Sequence, residues 1–245
     1  MKAKTPNFYD AGWRRWGGMT AYSPAPRIRR EVILSWVREL SFSSIIDIGC
    51  GGGDLVRDLI TNFPDAKITG ADLSEEVVKT NQERMPQARF VSFNLEEGPL
   101  EKRYDVVICS EVVEHTDDYE AAIASLAAMT KGALILTVPC GPLFPIDRAM
   151  GHTRHFSAYE IGAALGKAGL APVKLVKWGF PFFNLYKHAI NISPERTMAG
   201  FASTSQYGLK EKVISSLVYG LFRLSAPLWG YQLFAMAQRE DGHHE

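Results

Sequence analysis

The sequence is poor in cysteine, with only Cys50, Cys109 and Cys140 among 245 residues. The three are far apart and lie at strand ends or in apolar runs, which is typical of reduced thiols and argues against a disulfide framework or a cysteine-ligated zinc site. No run of about 18 apolar residues occurs, and the amino terminus lacks the apolar core of a secretory signal. We therefore expect no membrane span, no export and a cytoplasmic location.

The sequence also has no excess of either charge, because 27 basic residues balance 27 acidic ones. A chain of this kind carries no overall electrostatic footprint for nucleic acid, so a polynucleotide partner is not expected. With 46% hydrophobic and 22% charged residues, it can bury the core of one α/β domain. We expect a single domain over residues 1–245.

The most informative segment is IIDIGCGGG at residues 45–53. Its isoleucines predict a buried parallel strand. The alternating Gly49, Gly51 and Gly53 then allow a tight turn and a close approach of the backbone to a ligand. Asp47 lies at the strand end, where its carboxylate can meet a cation. The segment predicts a nucleotide-type binding loop.

A second acid supports this interpretation. The apolar run AKITGADL ends in Asp72, at the next predicted strand end, where a carboxylate can accept hydrogen bonds from ribose hydroxyls. The dinucleotide fingerprint GxGxxG has a different glycine spacing, with its last glycine in the helix. The two predicted strand ends therefore point to one nucleoside and away from a dinucleotide.

The segment DIGCGGG resembles motif I of the class I S-adenosylmethionine-dependent methyltransferases. GHTRHFS and, further along the chain, GFPFFNLYK resemble a bacterial branch of these enzymes that acts on small molecules such as glycans and secondary metabolites. The resemblance implies that Asp47 and the glycine loop hold the amino acid end of S-adenosylmethionine and that Asp72 holds its ribose. It assigns the following residues to the cofactor: Asp47, Gly49, Cys50, Gly51, Gly53, Asp72, Leu73, Asn94, Leu95, Ser110 and Glu111.

The resemblance continues to about residue 180. RFVSFNLEEG resembles the third strand and the turn beside the adenine, with Asn94 where the family usually has aspartate. YDVVICSEVVEH resembles the fourth strand and the motif after it, and KGALILTVP the fifth. The implied fold is a doubly wound, Rossmann-like, seven-stranded and mostly parallel sheet with an antiparallel last strand.

Local signals predict where the helices begin and divide the chain into segments. Ser23 with Pro24 begins one helix, Ser74 and Thr116 each cap another, and Ser157 with Glu160 forms a capping box. We expect a helical segment over residues 1–42, a cofactor-binding core over 43–180, a helical insertion over 181–229 and the last strand over 230–239. The amphipathic helix of the insertion packs on the domain, forms a homodimer interface, or contacts an acyl chain or membrane surface.

Polar residues follow the fourth and fifth predicted strands, where ligands bind in open α/β sheets. We expect His152, His155 or His115 to act as the catalytic base, since imidazole titrates near neutrality. The alternatives are that His115 lines the cofactor pocket and that His152 and His155 only fix their loop. We expect no metal site, because Asp147, His152 and His155 are loosely spaced. The residues expected to bind the acceptor are Asp147, Arg148, Arg154, Tyr9 and Trp13.

These features predict an O-methyltransferase acting on a small hydroxylated molecule of the glycan or secondary-metabolite type. Methylation of nitrogen or carbon on a small or lipid-like acceptor remains an alternative. So does a catalytically silent S-adenosylmethionine-binding partner subunit, although the polar residues of the loop at 147–155 argue against it.

Overall fold

The computed structural model describes residues 21–203 and 208–239. Its centre is a seven-stranded sheet in the order β3-β2-β1-β4-β5-β7-β6, in which β7 runs antiparallel to both of its neighbours. The strands are β1 (Ser44–Ile48), β2 (Lys67–Asp72), β3 (Arg89–Ser92), β4 (Tyr104–Ser110), β5 (Thr130–Pro139), β6 (Leu170–Trp178) and β7 (Gln232–Arg239). The predicted fold class is confirmed. The predicted residues Tyr9 and Trp13 lie outside the described residues.

Helices cover both faces of the sheet. They are α1 (Pro24–Val37), α2 (Asp54–Asn62), α3 (Glu75–Arg84), α4 (Tyr119–Met129), α5 (Pro145–Met150), α6 (Ala158–Lys167), α7 (Phe182–Ile190), α8 (Pro194–Ser203) and α9 (Leu209–Arg223). β1 is buried along its whole length. Because side chains alternate along a strand, Ile46 and Ile48 join the core under α4 and α6, whereas Ile45 joins the core under α1 and α2.

The helix starts follow the local signals in all but one case. Ser74 Oγ accepts the amide of Val77 at 3.1 Å, and Ser157 with Glu160 forms the expected capping box. The prediction that Thr116 caps the next helix is wrong. α4 begins after Asp118, whose carboxylate accepts the amide of Ala121 at 3.0 Å, because the Thr116 hydroxyl is already bonded to the Val113 carbonyl oxygen.

Three helices, α7 to α9, fill the chain between β6 and β7. The last residue of β6, Trp178, pairs with the first residue of β7, Gln232, so the insertion leaves and rejoins the sheet at one rung of the ladder. Phe222 of α9 is buried against Trp178 and Phe183. One face of α9 therefore packs on the domain, while apolar residues such as Leu217 stay exposed.

The order of the strands places a crevice at the carboxyl ends of β1 and β4. The chain moves from β1 outward through β2 to β3 and then returns to β4 on the other side of β1. A reversal of this kind leaves the two connections on opposite faces of the sheet, and ligands bind in the gap between them. Within the described ranges, no helix is long and apolar enough to cross a bilayer.

Candidate active site

The glycine loop after β1 has the backbone conformation that its sequence predicts. Gly49, Gly51 and Gly53 have φ angles of +72°, +49° and +76°, in the region that favours glycine. The amides of Gly49 and Cys50 both donate to the carbonyl oxygen of Ala71, at 2.8 and 3.0 Å, which fixes the loop to the end of β2. The loop is thus a preformed turn with its backbone open to close approach.

Asp72 is buried beside this loop and is bonded to it. One carboxylate oxygen accepts the amide of Gly51 at 2.8 Å, and the other accepts the amide of Ser74 at 3.0 Å. The side chain predicted to bind the ribose therefore also sets the shape of the loop. Asn81, which the sequence interpretation missed, adds a second constraint through its amide, 2.7 Å from the Gly51 carbonyl oxygen.

Asp47 lies at the end of β1 and is only 3% exposed. Burial, helped by the negative charge of Asp72, raises the pKa of Asp47 to about 8. A cation placed beside Asp47 would restore its charge and relieve the cost of burying it. The amino acid end of S-adenosylmethionine carries an ammonium and a sulfonium, so this acid and the open glycine loop fit that cofactor.

The remaining predicted cofactor residues lie around the same edge of the sheet. Asn94 follows β3, where its side-chain oxygen accepts the amide of Glu96 and its amide donates to Glu97 at 3.0 Å. Leu95 is buried in the core, Leu73 is half-buried after β2, and Cys50 is buried in the loop. The structure brings these residues together at the predicted edge, and their contacts to a cofactor stay predictions.

Glu111, directly after β4, is held in a network that the sequence interpretation did not anticipate. Its Oε1 accepts Gln232 Nε2 at 2.7 Å and Thr137 Oγ1 at 3.1 Å, and Thr137 is also 2.8 Å from the Ser110 hydroxyl. Its Oε2 is 3.6 Å from Arg29. The φ angle of Glu111 is +59°, a strained value for a residue other than glycine, which the surrounding hydrogen bonds maintain.

A cluster of histidines and acids forms next to Glu111. It contains Glu114, His115, Asp147, His152 and His155. Thr153 joins the loop after β5 to the turn after β4, because its amide and its hydroxyl donate to the Glu114 carbonyl oxygen at 2.9 and 2.8 Å.

Within this cluster the three imidazoles form a row. The ring centroids of His115 and His152 are 5.0 Å apart, and His152 Nδ1 is 3.3 Å from His155 Nε2. His155 Nε2 is 3.5 Å from an oxygen of Asp147, and its Nδ1 faces the Gly141 carbonyl oxygen at 3.3 Å. All three predicted candidates for the base thus share one site.

The environments of the two loop histidines differ. Burial, followed by repulsion from the neighbouring His115, lowers the pKa of His152 to about 2. Burial also lowers the pKa of His155, but the Asp147 carboxylate opposes that effect. His152 is therefore held neutral, whereas a proton that reached His155 would meet a favourable charge.

Glu114 is the most deeply buried acid of the cluster, with no exposed surface. Neither of its carboxylate oxygens has a hydrogen-bond partner among the described residues. Burial, together with the negative charge of Glu111, raises the pKa of Glu114 well above its usual range. A buried acid without a partner is costly, and such groups in native structures call for an explanation.

The polar residues predicted to bind the acceptor occupy different positions. Asp147 is buried, where it accepts the Phe144 amide at 3.0 Å and pairs with Lys187 of α7. Arg148 is exposed. Arg154 pairs with Glu160 at 2.7 Å and lies over the ring of Tyr119, 4.2 Å from its centroid. Direct contact of these three with an acceptor stays a prediction.

The sequence interpretation missed four residues of the site, Arg29, Asn81, Lys187 and Gln232. Each makes its contact with a residue at least 30 positions away in the sequence. No local spacing signals such a pair, so only the fold reveals them. Asn81 lies on α3, within the predicted core, whereas Arg29, Lys187 and Gln232 come from α1, α7 and β7 outside it.

Comparison with known proteins points in one direction. A family model described as a methyltransferase domain matches residues 46–132. Malonyl-[acyl-carrier protein] O-methyltransferase of Halalkalibacterium halodurans is 27% identical over 67% of this chain and 62% of its own length. Ubiquinone biosynthesis O-methyltransferase of Bordetella parapertussis is 29% identical over 53% of this chain and 57% of its own length. The chain thus spans less than two thirds of the length of these relatives.

The fold comparison agrees with the sequence comparison. Magnesium protoporphyrin IX methyltransferase of Synechocystis, solved with bound S-adenosylhomocysteine, superimposes with a TM-score of 0.63 at 18% identity. The match covers 95% of this chain and 96% of that protein. The matched sequence segment contains the glycine loop, Asp72 and the turn after β4. The sequence match over residues 46–132 and the shared fold therefore support a class I methyltransferase that uses S-adenosylmethionine.

Proposed function

We propose that this protein transfers the methyl group of S-adenosylmethionine to an oxygen atom of a small hydroxylated acceptor, of the glycan or secondary-metabolite type. One observation carries the proposal. The turn after β4 packs directly on the glycine loop, since the Val112 side chain fills the space beside Gly49. The same turn carries Glu114 and His115 of the histidine cluster, so the expected cofactor loop and the polar cluster are neighbours.

The chemistry explains why these two features belong together. S-adenosylmethionine supplies a methyl carbon bonded to a positively charged sulfur. The acceptor oxygen forms a bond to that carbon as the carbon–sulfur bond breaks, and the hydroxyl proton needs a base. Holding the groups in line can supply about 7 to 11 kcal/mol of the barrier reduction, and a positioned base adds typically about 10²- to 10⁴-fold in rate.

His155 is the base in this proposal. Asp147, at 3.5 Å, favours the protonated form of His155, and the Gly141 carbonyl oxygen at 3.3 Å fixes the ring. His152, 3.3 Å from His155, is surrounded by groups that disfavour its protonation and is the weaker base. Of the three histidines expected from the sequence, His155 thus has the surroundings that a proton acceptor needs.

A groove beside the cluster suits an acceptor that has an apolar portion. It has a volume of about 470 Å³ and runs between α1, α7, α8 and α9. Its lining is mainly apolar and includes Met150, two residues before His152, together with Tyr186, Val218 and Phe222. An acceptor with a hydroxylated head and an apolar tail would place the head near the histidines.

The reaction is placed in the cytoplasm in this proposal, in keeping with three free, buried cysteines.

The proposal is tested by methyl transfer from labelled S-adenosylmethionine to fractionated small metabolites. We expect a labelled product and an equal amount of S-adenosylhomocysteine, with carbon NMR of the product showing a methyl group on oxygen. A methyl group on nitrogen or carbon would contradict the oxygen assignment. Binding of S-adenosylhomocysteine without turnover of any fraction would support the silent partner subunit instead.

A further inference from the structure

The buried Glu114 carboxylate has no role in the mechanism above and no hydrogen-bond partner among the described residues. Water cannot solvate it, because the side chain has no exposed surface. Buried charges in proteins are paired or bound to metal ions. Because Glu114 has no partner among the described residues, we looked for a cation that could bind to its carboxylate.

Of the acids Glu111, Glu114 and Asp147, only Glu114 has no positively charged partner among the described residues. Glu111 lies 3.6 Å from Arg29, and Asp147 pairs with Lys187. Each of these two acids thus has its own cation. Glu114 has no cation within ion-pairing distance among residues 21–203 and 208–239.

Two nitrogen ligands lie next to this acid. One ligand atom each from Glu114, His115 and His152 lie within 4.8 Å of one another. Bonds of about 2.0 to 2.2 Å from one metal ion to three such atoms require separations of roughly 3 to 4 Å, which a small inward movement of the side chains provides. Neutral imidazole is the form in which histidine binds metals.

A second group, Asp147, His152 and His155, has the same spacing but is already committed. Asp147 accepts the Phe144 amide and pairs with Lys187, and His155 Nδ1 faces a carbonyl oxygen. Replacing these bonds by bonds to an ion would leave a half-buried lysine and the amide of a half-buried residue without partners, which is costly. Glu114 has no such bonds to lose.

We propose that Glu114, His115 and His152 bind one divalent first-row metal ion of the Zn²⁺, Mn²⁺ or Fe²⁺ type, at the carboxyl end of β4. Two imidazoles with one carboxylate form a known ligand set for such ions and leave coordination positions open. The loose spacing in sequence argued against a metal site, and the fold brings in a different acid from the one that the spacing considered.

The role of the ion rests on the proposed function. An acceptor hydroxyl that occupies an open position on the ion would lose its proton more readily, since bound divalent ions lower the pKa of oxygen ligands. His155 would take the hydroxyl proton, and the acceptor oxygen would bond to the methyl carbon as the carbon–sulfur bond breaks. In this arrangement His152 holds the ion and His155 takes the proton, which separates the roles of two adjacent histidines.

Metal binding is tested without an acceptor, by titrating Co²⁺ into the full-length protein after dialysis against EDTA and recording its visible absorption. We expect one Co²⁺ per chain for the wild type. Glu114→Gln and His152→Ala should each weaken binding by at least about 100-fold, since loss of residues that only support ligands already costs about 10- to 100-fold. His188→Ala, a histidine bonded to the Tyr231 hydroxyl outside the cluster, should bind Co²⁺ within threefold of the wild type.

Calorimetry with S-adenosylhomocysteine on the same variants separates this inference from the proposed function. Both variants should keep cofactor affinity, which shows that they fold. No stoichiometric Co²⁺ binding by the wild type would overturn the inference, as would equal binding by the wild type and both variants. Cofactor binding and methyl transfer would stand in either case. Failure of methyl transfer with Co²⁺ binding intact would instead count against the proposed function alone.

Discussion

A methyl group of Val112 lies where a side chain on residue 49 would begin, since a Cβ on Gly49 would be 2.2 Å from Val112 Cγ2. The glycine loop and the turn that carries the histidine cluster are therefore in direct contact. Any side chain on residue 49 must push this turn away from the loop.

Gly49→Ala should consequently disturb cofactor and acceptor sites together. The added Cβ clashes with Val112, and the φ angle of +72° disfavours alanine as well. We expect the affinity for S-adenosylhomocysteine, measured by calorimetry, to fall at least about tenfold. Gly166→Ala is the matched control, because a Cβ there meets nothing within 4 Å. It should keep full affinity and gain about 0.5 to 1 kcal/mol in stability. Equal affinities of the two variants would contradict the assignment of the loop.

Cofactor selectivity follows from the same loop. S-adenosylmethionine and S-adenosylhomocysteine should raise the melting temperature, because a ligand that binds only the folded state stabilises it. NADH should leave the melting temperature unchanged, since the loop lacks the glycine spacing for a dinucleotide. Thermal denaturation with each ligand makes the comparison, and stabilisation by NADH alone would overturn the reading of the loop.

Asp47 should make both stability and cofactor binding depend on pH. In the empty protein its pKa of about 8 lies above the value in the unfolded chain, about 3.9. The folded state therefore binds the extra proton between these values, and stability falls as pH rises through this range. Asp47→Asn should stabilise the empty protein at pH 8 by roughly 1 to 3 kcal/mol in urea unfolding, and by much less at pH 4.

The same acid links cofactor binding to proton release. An ammonium bound beside Asp47 lowers its pKa, so binding at pH 7 should release protons, up to about one per site. Calorimetry of S-adenosylhomocysteine in buffers of different ionisation enthalpy measures this number. Asp47→Asn should weaken binding and abolish the release. Release that persisted in the variant would show that another group is responsible.

Asp72 has two roles, and two substitutions distinguish them. Asp72→Ala leaves the amides of Gly51 and Ser74 without their acceptor and also removes the expected ribose contact. We expect a loss of at least about 1.5 to 3 kcal/mol in cofactor affinity, together with reduced stability. Asp72→Asn keeps one acceptor oxygen and should lose less of both. Unchanged cofactor affinity in a folded Asp72→Ala protein would refute the ribose assignment.

His155→Ala tests the base. We expect kcat to fall by about 10²-fold or more, with cofactor affinity within about threefold of the wild type, because the residue acts on the acceptor. His188→Ala provides the control and should keep kcat. Full activity of His155→Ala with the authentic acceptor would remove His155 from the mechanism and leave alignment or another member of the cluster to account for the rate.

The Asp147–Lys187 ion pair should stabilise the packing of the insertion, which carries Lys187, against the segment after β5, which carries Asp147. Lys187→Met leaves a buried carboxylate without its cation, which costs about 3 to 5 kcal/mol in urea unfolding. Adding Asp147→Asn removes that charge and should recover part of the loss, so that the two changes are not additive. Cofactor affinity should remain. Additive losses would show that the pair does not couple the two elements.

The sequence predicts the sheet well because its signals are local. β1 and β4 are mostly apolar runs, and Ser74 and Ser157 cap helices through bonds that span three residues. The prediction for Thr116 failed because Asp118, two positions later, can also cap a helix. In the fold the Thr116 hydroxyl donates to the Val113 carbonyl oxygen, and Asp118 caps the helix instead.

The site is less predictable because its contacts span long distances in the sequence. The proximity of His115 and His152 could be predicted from the sequence, because the carboxyl ends of β4 and β5 lie at the same edge of the sheet. The Lys187 partner of Asp147 and the Gln232 partner of Glu111 could not, because each lies on an element with no motif of its own. The lack of hydrogen-bond partners for the Glu114 carboxylate among the described residues depends on the whole fold, so no spacing in the sequence predicts it.

The pairing of Trp178 with Gln232 brings the two ends of the insertion together at one position in the sheet. Phe183, Lys187 and Phe222 nevertheless tie residues 179–231 to the rest of the domain, so an exchanged segment has to keep these contacts. If the proposed function holds, a chimaera carrying the corresponding segment of a related enzyme should differ in acceptor choice and keep its affinity for S-adenosylhomocysteine.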